Sequence, residues 1–103
     1  MTWNYAAFRT RYNLRYNGED HFEEVFDVRE IYYDEAGNIT ACTKEGVRPL
    51  GDTQEELMGD LEKMLKDVHA RCFTHHDVPG YTFDEDNLEV PIPAEEIPCR
   101  YTL

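Results

Sequence analysis

Apolar side chains recur at intervals of three and four residues between Leu57 and Cys72, and this spacing constrains the fold more than any other feature of the chain. An α-helix has about 3.6 residues per turn, so the spacing places these side chains along one side of a helix. The stripe consists of Leu57, Met58, Leu61, Met64, Leu65, Val68 and Cys72. Mostly charged residues fill the other positions, so the pattern predicts a long amphipathic helix that needs an apolar surface to pack against.

The start of this helix is marked by capping residues. Asp52 or Thr53 can accept hydrogen bonds from the free amides of the first turn, and Glu55 or Glu56 three residues later completes a capping box. Pro79-Gly80 sets the latest position at which the helix can end.

Three strands are expected before the helix. Aromatic and polar residues alternate in Trp3–Ala7 and, after a change of phase, in Tyr12–Tyr16. Asn17-Gly18 then favours a tight hairpin turn, because both residues tolerate a positive φ. A second strand is expected at Phe22–Tyr33 and a third at Ile39–Thr43. Short turns between these strands predict an antiparallel meander.

The last part of the chain has a different character. It contains three closely spaced prolines, which exclude a helix interior or a central strand, and one short apolar run at Leu88–Ile92. The expected fold class is therefore α+β, with a three-stranded antiparallel meander packed against one long amphipathic helix in residues 1–78. Residues 79–103 are expected to form an extended, Pro-rich acidic C-terminal arm with at most one edge strand.

Negative charge dominates the composition. The net charge is −12, yet the first 18 residues contain three arginines and no acid. From Glu19 onward, 22 acidic residues face seven basic ones. A surface of this kind repels nucleic acid and anionic membranes and attracts basic partners. We therefore expect a basic protein or a nucleic-acid-binding complex as partner, and neither direct nucleic-acid binding nor membrane association.

The three N-terminal arginines allow two interpretations. Arg9, Arg11 and Arg15 interleave with Phe8, Tyr12 and Tyr16, as in a strand that stacks on nucleic acid bases. The interpretation we favour is that the arginines pair across the sheet with acids of the second strand, such as Glu23, Asp27 or Glu30.

The cysteines indicate a compartment. Cys42, Cys72 and Cys99 are an odd number at wide spacing, which argues against a secreted disulfide scaffold and for reduced thiols. The chain has no apolar run of about 18 residues and does not begin like a signal peptide. A cytoplasmic protein is the expectation.

Three motifs resemble those of a family of short, uncharacterised bacterial proteins. They are a Trp-x-Tyr strand at Trp3–Tyr5, a Y-Y-D-x-x-G hairpin within Ile31–Ile39 and a G-[DE]-T-x-E-E-L helix start within Val47–Leu57. The resemblance covers about Thr2 to Val68 and implies no catalytic residue, because none is assigned in the family.

The order of strands and the helix start are also similar to HicB-type antitoxins. That resemblance implies a small sheet with helices that occludes a small basic RNA-cleaving toxin. The chain departs from the bacterial family at Arg29, where such sequences often have histidine, and in its unusually long tail after Pro79.

A structural zinc site is one alternative function. Zinc takes four nitrogen or sulfur ligands, and His69, Cys72 and His76 share one side of the helix if it continues that far. Cys99 or Cys42 would complete the set. Against this, Cys72 also belongs to the apolar stripe, and no Cys-x-x-Cys pair is present.

The function expected from the residues is non-enzymatic: a small acidic protein that blocks or regulates a basic partner, in the manner of an anti-defence protein, an antitoxin or an immunity protein. No cofactor is expected. Tyrosines close to acids are typical of interfaces. The expected contacts are Tyr33, Asp34, Glu35, Tyr81, Asp84, Glu85, Asp86, Glu95 and Glu96. An enzyme of unrecognised type and a homodimer formed through a strand edge remain open.

Overall fold

The computed structural model describes residues 2–97 and has one five-stranded sheet and one α-helix in that range. The elements are β1 (Thr2–Asn13), β2 (Phe22–Tyr33), β3 (Ile39–Cys42), α1 (Gln54–Ala70), β4 (Cys72–Phe73) and β5 (Glu89–Val90). Three short 3-10 turns follow the helix, at His75–Asp77, Glu85–Asn87 and Ala94–Glu96.

Strand β1 lies in the middle of the sheet and is bonded along both of its edges. On one edge it pairs antiparallel with β2 over its whole length. On the other edge it pairs with β4 in parallel at Ala7 and Phe8, and with β5 antiparallel at Arg11 and Tyr12. Strand β3 extends the sheet beyond β2, so the order is β3-β2-β1-β4, with β5 beside β4 along the edge of β1.

The predicted three-stranded antiparallel meander on one long helix is therefore wrong. The sheet is mixed, and the helix ends at Ala70 although its apolar pattern runs on to Cys72. The physical reason is the second edge of β1, whose backbone groups need partners. The amide of Ala7 donates to the carbonyl of Arg71 at 3.0 Å and that of Asn13 to the carbonyl of Leu88 at 3.0 Å.

The C-terminal arm is not extended within the described residues. Residues 79–97 fold back along the sheet, and Glu89–Val90 is an edge strand inside the apolar run where one was expected. The backbone of Ile92 is held by two imidazoles: its amide donates to Nε2 of His75 at 2.9 Å, and its carbonyl accepts from Nε2 of His76 at 2.6 Å. The return of the chain therefore depends on two histidines, one of which, His76, was considered as a zinc ligand.

Several local predictions are confirmed. Strand β2 has the expected bounds, and Asn17 and Gly18 form the hairpin turn with φ values of +53° and +77°. Of the two candidate capping residues, Thr53 caps α1, because its side chain accepts from the amide of Glu56. Glu56 in turn accepts from the amide of Asp52 at 2.8 Å.

The hydrophobic core lies on one face of the sheet, beneath the segment that follows β4. Ala6, Phe8 and Ile31 from the sheet are buried against Val78, and Tyr81 stacks on Phe8 with ring centroids 5.8 Å apart. The helix does not contribute to this cluster. The core is therefore covered by the segment expected to be an arm.

The helix packs on β1 mainly through polar contacts. The hydroxyl of Tyr5 donates to Asp60 at 2.7 Å, and the amide of Tyr5 donates to Asp67 at 3.1 Å. The ammonium group of Lys63 lies 5.2 Å from the centre of the Trp3 ring. Met64 is the fully buried apolar residue of the helix.

The predicted apolar stripe therefore points only partly at the sheet. Met58, Leu61 and Leu65 are 52%, 47% and 72% exposed. Sequence periodicity predicted the helix correctly, but the aspartates that anchor it were assigned to its solvent side. In residues 2–97 no helix has the length and hydrophobicity to cross a membrane.

Replacing Asp67 by alanine should lower the free energy of unfolding by about 2–3 kcal/mol. The amide of Tyr5 would lose its acceptor, and Lys63 and Arg71, at 3.1 and 3.3 Å, would lose their ion-pair partner. Urea unfolding would measure the loss. The matched control is Glu62→Ala at an exposed position of the same helix, which should change stability by at most about 0.5 kcal/mol. Equal losses in the two variants would contradict the anchoring role.

Candidate partner-binding surface

Two of the three N-terminal arginines are buried in ion pairs. Arg9 donates to Glu24 through Nε at 2.6 Å and through Nη2 at 2.5 Å. Arg11 reaches the same carboxylate through Nη2 at 2.6 Å. Each arginine is 8% exposed. Arg9 and Arg11 therefore pair across the sheet as expected, but their partner is Glu24 and not Glu23, Asp27 or Glu30, which were predicted.

The C-terminal segment supplies a second carboxylate to these arginines. Glu96 accepts from Arg11 in bidentate fashion, at 3.0 and 2.5 Å, and the carbonyl of Glu96 accepts from Nη1 of Arg9 at 2.7 Å. We call Arg9, Arg11, Glu24 and Glu96 the arginine cluster. It joins the central strand to a residue 85 positions further along the chain.

Arg29 is buried on the opposite face of the sheet, 3% exposed. Its guanidinium donates to Asp27 at 2.8 Å and to the carbonyl of Lys44 at 2.7 Å, and it lies 4.7 Å from the centre of the Phe8 ring. Arg15 is exposed and pairs with Asp20 at 3.2 Å. With Arg9 and Arg11 buried, the predicted stacking strand for nucleic acid bases does not form.

Both tyrosines predicted as surface anchors are structural. Tyr33 is half-buried, and its hydroxyl donates to Asn4 at 2.8 Å. Tyr81 packs on the core ring of Phe8, and burial raises the pKa of its phenol well above the usual value. Both side chains are partly buried against the core, and their role as partner contacts stays a prediction.

The predicted acidic contacts divide into structural and exposed groups. Asp34 accepts from the amides of Ala36 and Asn38, both at 2.9 Å, and these backbone bonds hold the pKa of its carboxyl below the usual value. Asp84 accepts from the side chain of Asn87 at 2.6 Å. Glu96 belongs to the arginine cluster. Asp34 and Glu96 are also exposed in spite of these contacts, and the remaining exposed acids are Glu35, Glu85, Asp86 and Glu95.

These four acids lie in different parts of the fold. Glu35 is in the turn between β2 and β3, whereas Glu85 and Asp86 are in the turn before β5, and Glu95 is close to the arginine cluster. The buried arginines do not pair with these four acids. The four acids therefore form a negative surface that is spread over the fold.

The predicted zinc ligands do not form a site within residues 2–97, where no group of three His, Cys, Asp or Glu side chains is arranged to hold a metal. Cys72 is disulfide-bonded, so it has no thiolate to offer and is not the reduced thiol that the cysteine count predicted. His76 is engaged with the carbonyl of Ile92. Cys99 lies outside the described residues.

Sequence reasoning missed an exposed apolar segment at the start of β2. Phe22, Val25 and Phe26 are 53%, 45% and 58% exposed. Phe22 and Phe26 share a sheet face with Glu24, and Val25 is on the other face. The change of phase within β2 was the signal: apolar residues at positions 25, 26 and 28 cannot all turn to one face of a regular strand.

Comparison with known proteins identifies no family. Neither a protein-family model nor a solved structure matches the chain. A stretch of 68 residues is 28% identical to the inactive serine/threonine-protein kinase TEX14 of Mus musculus. The match covers 66% of this chain but only 5% of the length of TEX14. The resemblances to short bacterial proteins and to HicB-type antitoxins stay predictions.

The arginine cluster predicts a loss of stability in acid. Hydrogen bonds from Arg9, followed by those from Arg11, hold the pKa of Glu24 at about 2, against an ordinary value of 4.5. The folded state favours the charged carboxylate, so its contribution is complete above pH 4.5 and disappears as the pH falls toward 2.

Urea unfolding between pH 5 and pH 2 would test this prediction. A Glu24→Gln variant cannot ionise and should lose less stability in that window than the wild type. At pH 7 it should already be less stable by about 2 kcal/mol, because two buried guanidinium groups lose a charged partner. If the free energies of unfolding of the two proteins fall in parallel with pH, Glu24 is not the group that causes the loss of stability in acid.

Proposed function

We propose that this protein is a non-enzymatic acidic binding protein that blocks or regulates a basic protein partner. The observation that carries the proposal is the separation of charge. Arg9, Arg11 and Arg29 are buried in internal ion pairs, whereas Glu35, Glu85, Asp86 and Glu95 remain on the surface.

This separation favours a partner over mere solubility. Burying an arginine costs free energy unless a carboxylate pairs with it. Acids pair with the buried arginines here, and the chain still has a net charge of −12. Exposed acids steer a basic partner toward the surface and set the salt dependence of association. The exposed apolar residues of α1 and β2 supply area that only a partner would cover.

The partner class follows from the charge. Nucleic-acid-binding complexes and cognate toxins present basic surfaces that carboxylates can occupy in place of phosphates. A cytoplasmic location belongs to this proposal, although the disulfide at Cys72 counts against the reduced thiols on which it was based.

The non-enzymatic part of the proposal is supported by the state of the free cysteine. Cys42 is half-buried, and burial raises the pKa of its thiol, which lowers the fraction of reactive thiolate. TEX14, which matches part of the chain, is itself named as an inactive kinase.

An affinity pull-down from the source cell's lysate tests the proposal. We expect a basic protein to be retained at low salt and released at about 0.5 M salt, where surface attraction is screened. A Glu85→Lys/Asp86→Lys variant should bind the recovered protein about tenfold more weakly. The matched control is Glu45→Lys/Glu62→Lys, which changes the net charge equally at exposed positions elsewhere.

Retention of no basic protein at low salt would overturn the proposal. Equal weakening of binding by the two double variants would remove the turn before β5 from the binding surface. Circular dichroism would confirm that both variants keep the fold.

A further inference from the structure

The edge of β2 that faces away from β1 has backbone partners along only half of its length within residues 2–97. We call this side the outer edge. The carbonyls of Glu30 and Val28 accept from the amides of Thr43 at 3.0 Å and Val47 at 2.8 Å, which covers the second half of the strand. Backbone groups alternate in direction along a strand, so Phe22, Glu24 and Phe26 present their amides and carbonyls on the same outer side. Across residues 2–97, no segment pairs with this stretch.

The alternation is supported by the inner side of β2. The amide of Leu14 donates to the carbonyl of His21 at 2.8 Å, so odd-numbered residues of this hairpin arm bond to β1. Val25, which is in register with Thr10, therefore already has its partner. The backbone groups of Phe22, Glu24 and Phe26 have no such partner within residues 2–97.

This edge has no proline, lysine or bulge, three of the features that usually prevent strand addition. Charged side chains are a fourth such feature, and here both charges are negative, so they disfavour an acidic strand and admit a basic one. Residues 22–26 read Phe-Glu-Glu-Val-Phe, and their pairing with β1 has no break in register. Phe22, Val25 and Phe26 are about half exposed on the two faces of the strand.

We propose that the open edge at Phe22–Phe26 binds an extended segment of a basic partner as an added β-strand. The inference rests on the proposed function and specifies where and how the partner binds. Backbone hydrogen bonds would supply affinity, and the side chains of alternate residues would supply specificity.

A basic occupant fits this edge better than a second copy of the chain. Three antiparallel registers bring two copies together symmetrically, centred on residue 23, 24 or 25. The register centred on residue 23 places Glu23 opposite Glu23, and like charges directly opposite each other destabilise a strand pair. In the other two registers Glu24, which is paired with two arginines, faces itself, or Glu23 faces Asp27, which is paired with Arg29.

None of the three registers places a cation opposite Glu23, whereas a basic segment does. A partner segment that alternates basic and apolar residues avoids this repulsion, with its basic side chains on the face of Glu23 and its apolar ones on the face of Phe22 and Phe26.

A synthetic seven-residue peptide that alternates valine and lysine is the probe. On binding to the intact protein, it should slow hydrogen exchange at the amides of Glu24 and Phe26 about fivefold or more, as measured by NMR. The amide of Val25 should change less than about twofold, because it already bonds to β1. A peptide with glutamate in place of lysine should bind at least about tenfold more weakly.

Two blocking experiments complete the test. Phe26→Pro removes an outward amide and should weaken peptide binding about tenfold beyond Phe26→Ala, which removes only the ring. N-methylation of alternate amides of the lysine peptide blocks the same bonds from the other side. It leaves the protein unchanged, so it remains decisive if the proline variant does not fold.

The outcomes separate the inference from the proposed function. No binding of the lysine peptide, protection at other amides, or equal binding by the proline and alanine variants would overturn strand addition. If a basic protein is still retained in the low-salt pull-down, the proposed function stands without it. If the lysine peptide does not bind and the pull-down retains no basic protein, strand addition and the proposed function are both overturned.

Discussion

The arginine cluster on the central strand is the interaction on which the rest of the structure depends. Two guanidinium groups are buried side by side on β1, an arrangement that is costly unless carboxylates neutralise it. Glu24 comes from the neighbouring strand, and Glu96 comes from the far end of the described chain. The cluster therefore holds together the β1–β2 hairpin and the returning C-terminal segment, which also supplies β5 and the contacts to His75 and His76.

This arrangement also explains the surface. Arg9 and Arg11 are neutralised inside the fold and Arg15 pairs with Asp20 at the surface, so the acids that remain have few basic neighbours. The helix is attached to β1 by hydrogen bonds to Asp60 and Asp67, and of its apolar stripe Met64 is buried whereas Leu61 and Leu65 are exposed. An anionic surface with uncovered apolar residues is what a binding protein for a basic partner requires.

Sequence patterns predicted the local elements and missed the long-range ones. The Asn17-Gly18 turn, the bounds of β2 and the cap at Thr53 depend on neighbouring residues, so periodicity and turn chemistry were sufficient. The pairing of β1 with Cys72–Phe73 and the hydrogen bonds from Arg11 to Glu96 join positions more than 60 residues apart. Nothing in the local pattern of either segment indicates such a partner. The packing of Tyr81 on Phe8 belongs to the same returning segment, and the use of Tyr81 as a partner contact stays a prediction.

A double-mutant cycle between Arg11 and Glu96 tests the central claim most directly. The single variants Arg11→Met and Glu96→Gln and their combination would be compared with the wild type by urea unfolding at pH 7. If the returning segment is held by this ion pair, the two losses should be clearly non-additive, since a bidentate charged pair is removed only once. Losses that add to within about 0.3 kcal/mol would show that the two residues do not interact and would contradict the account.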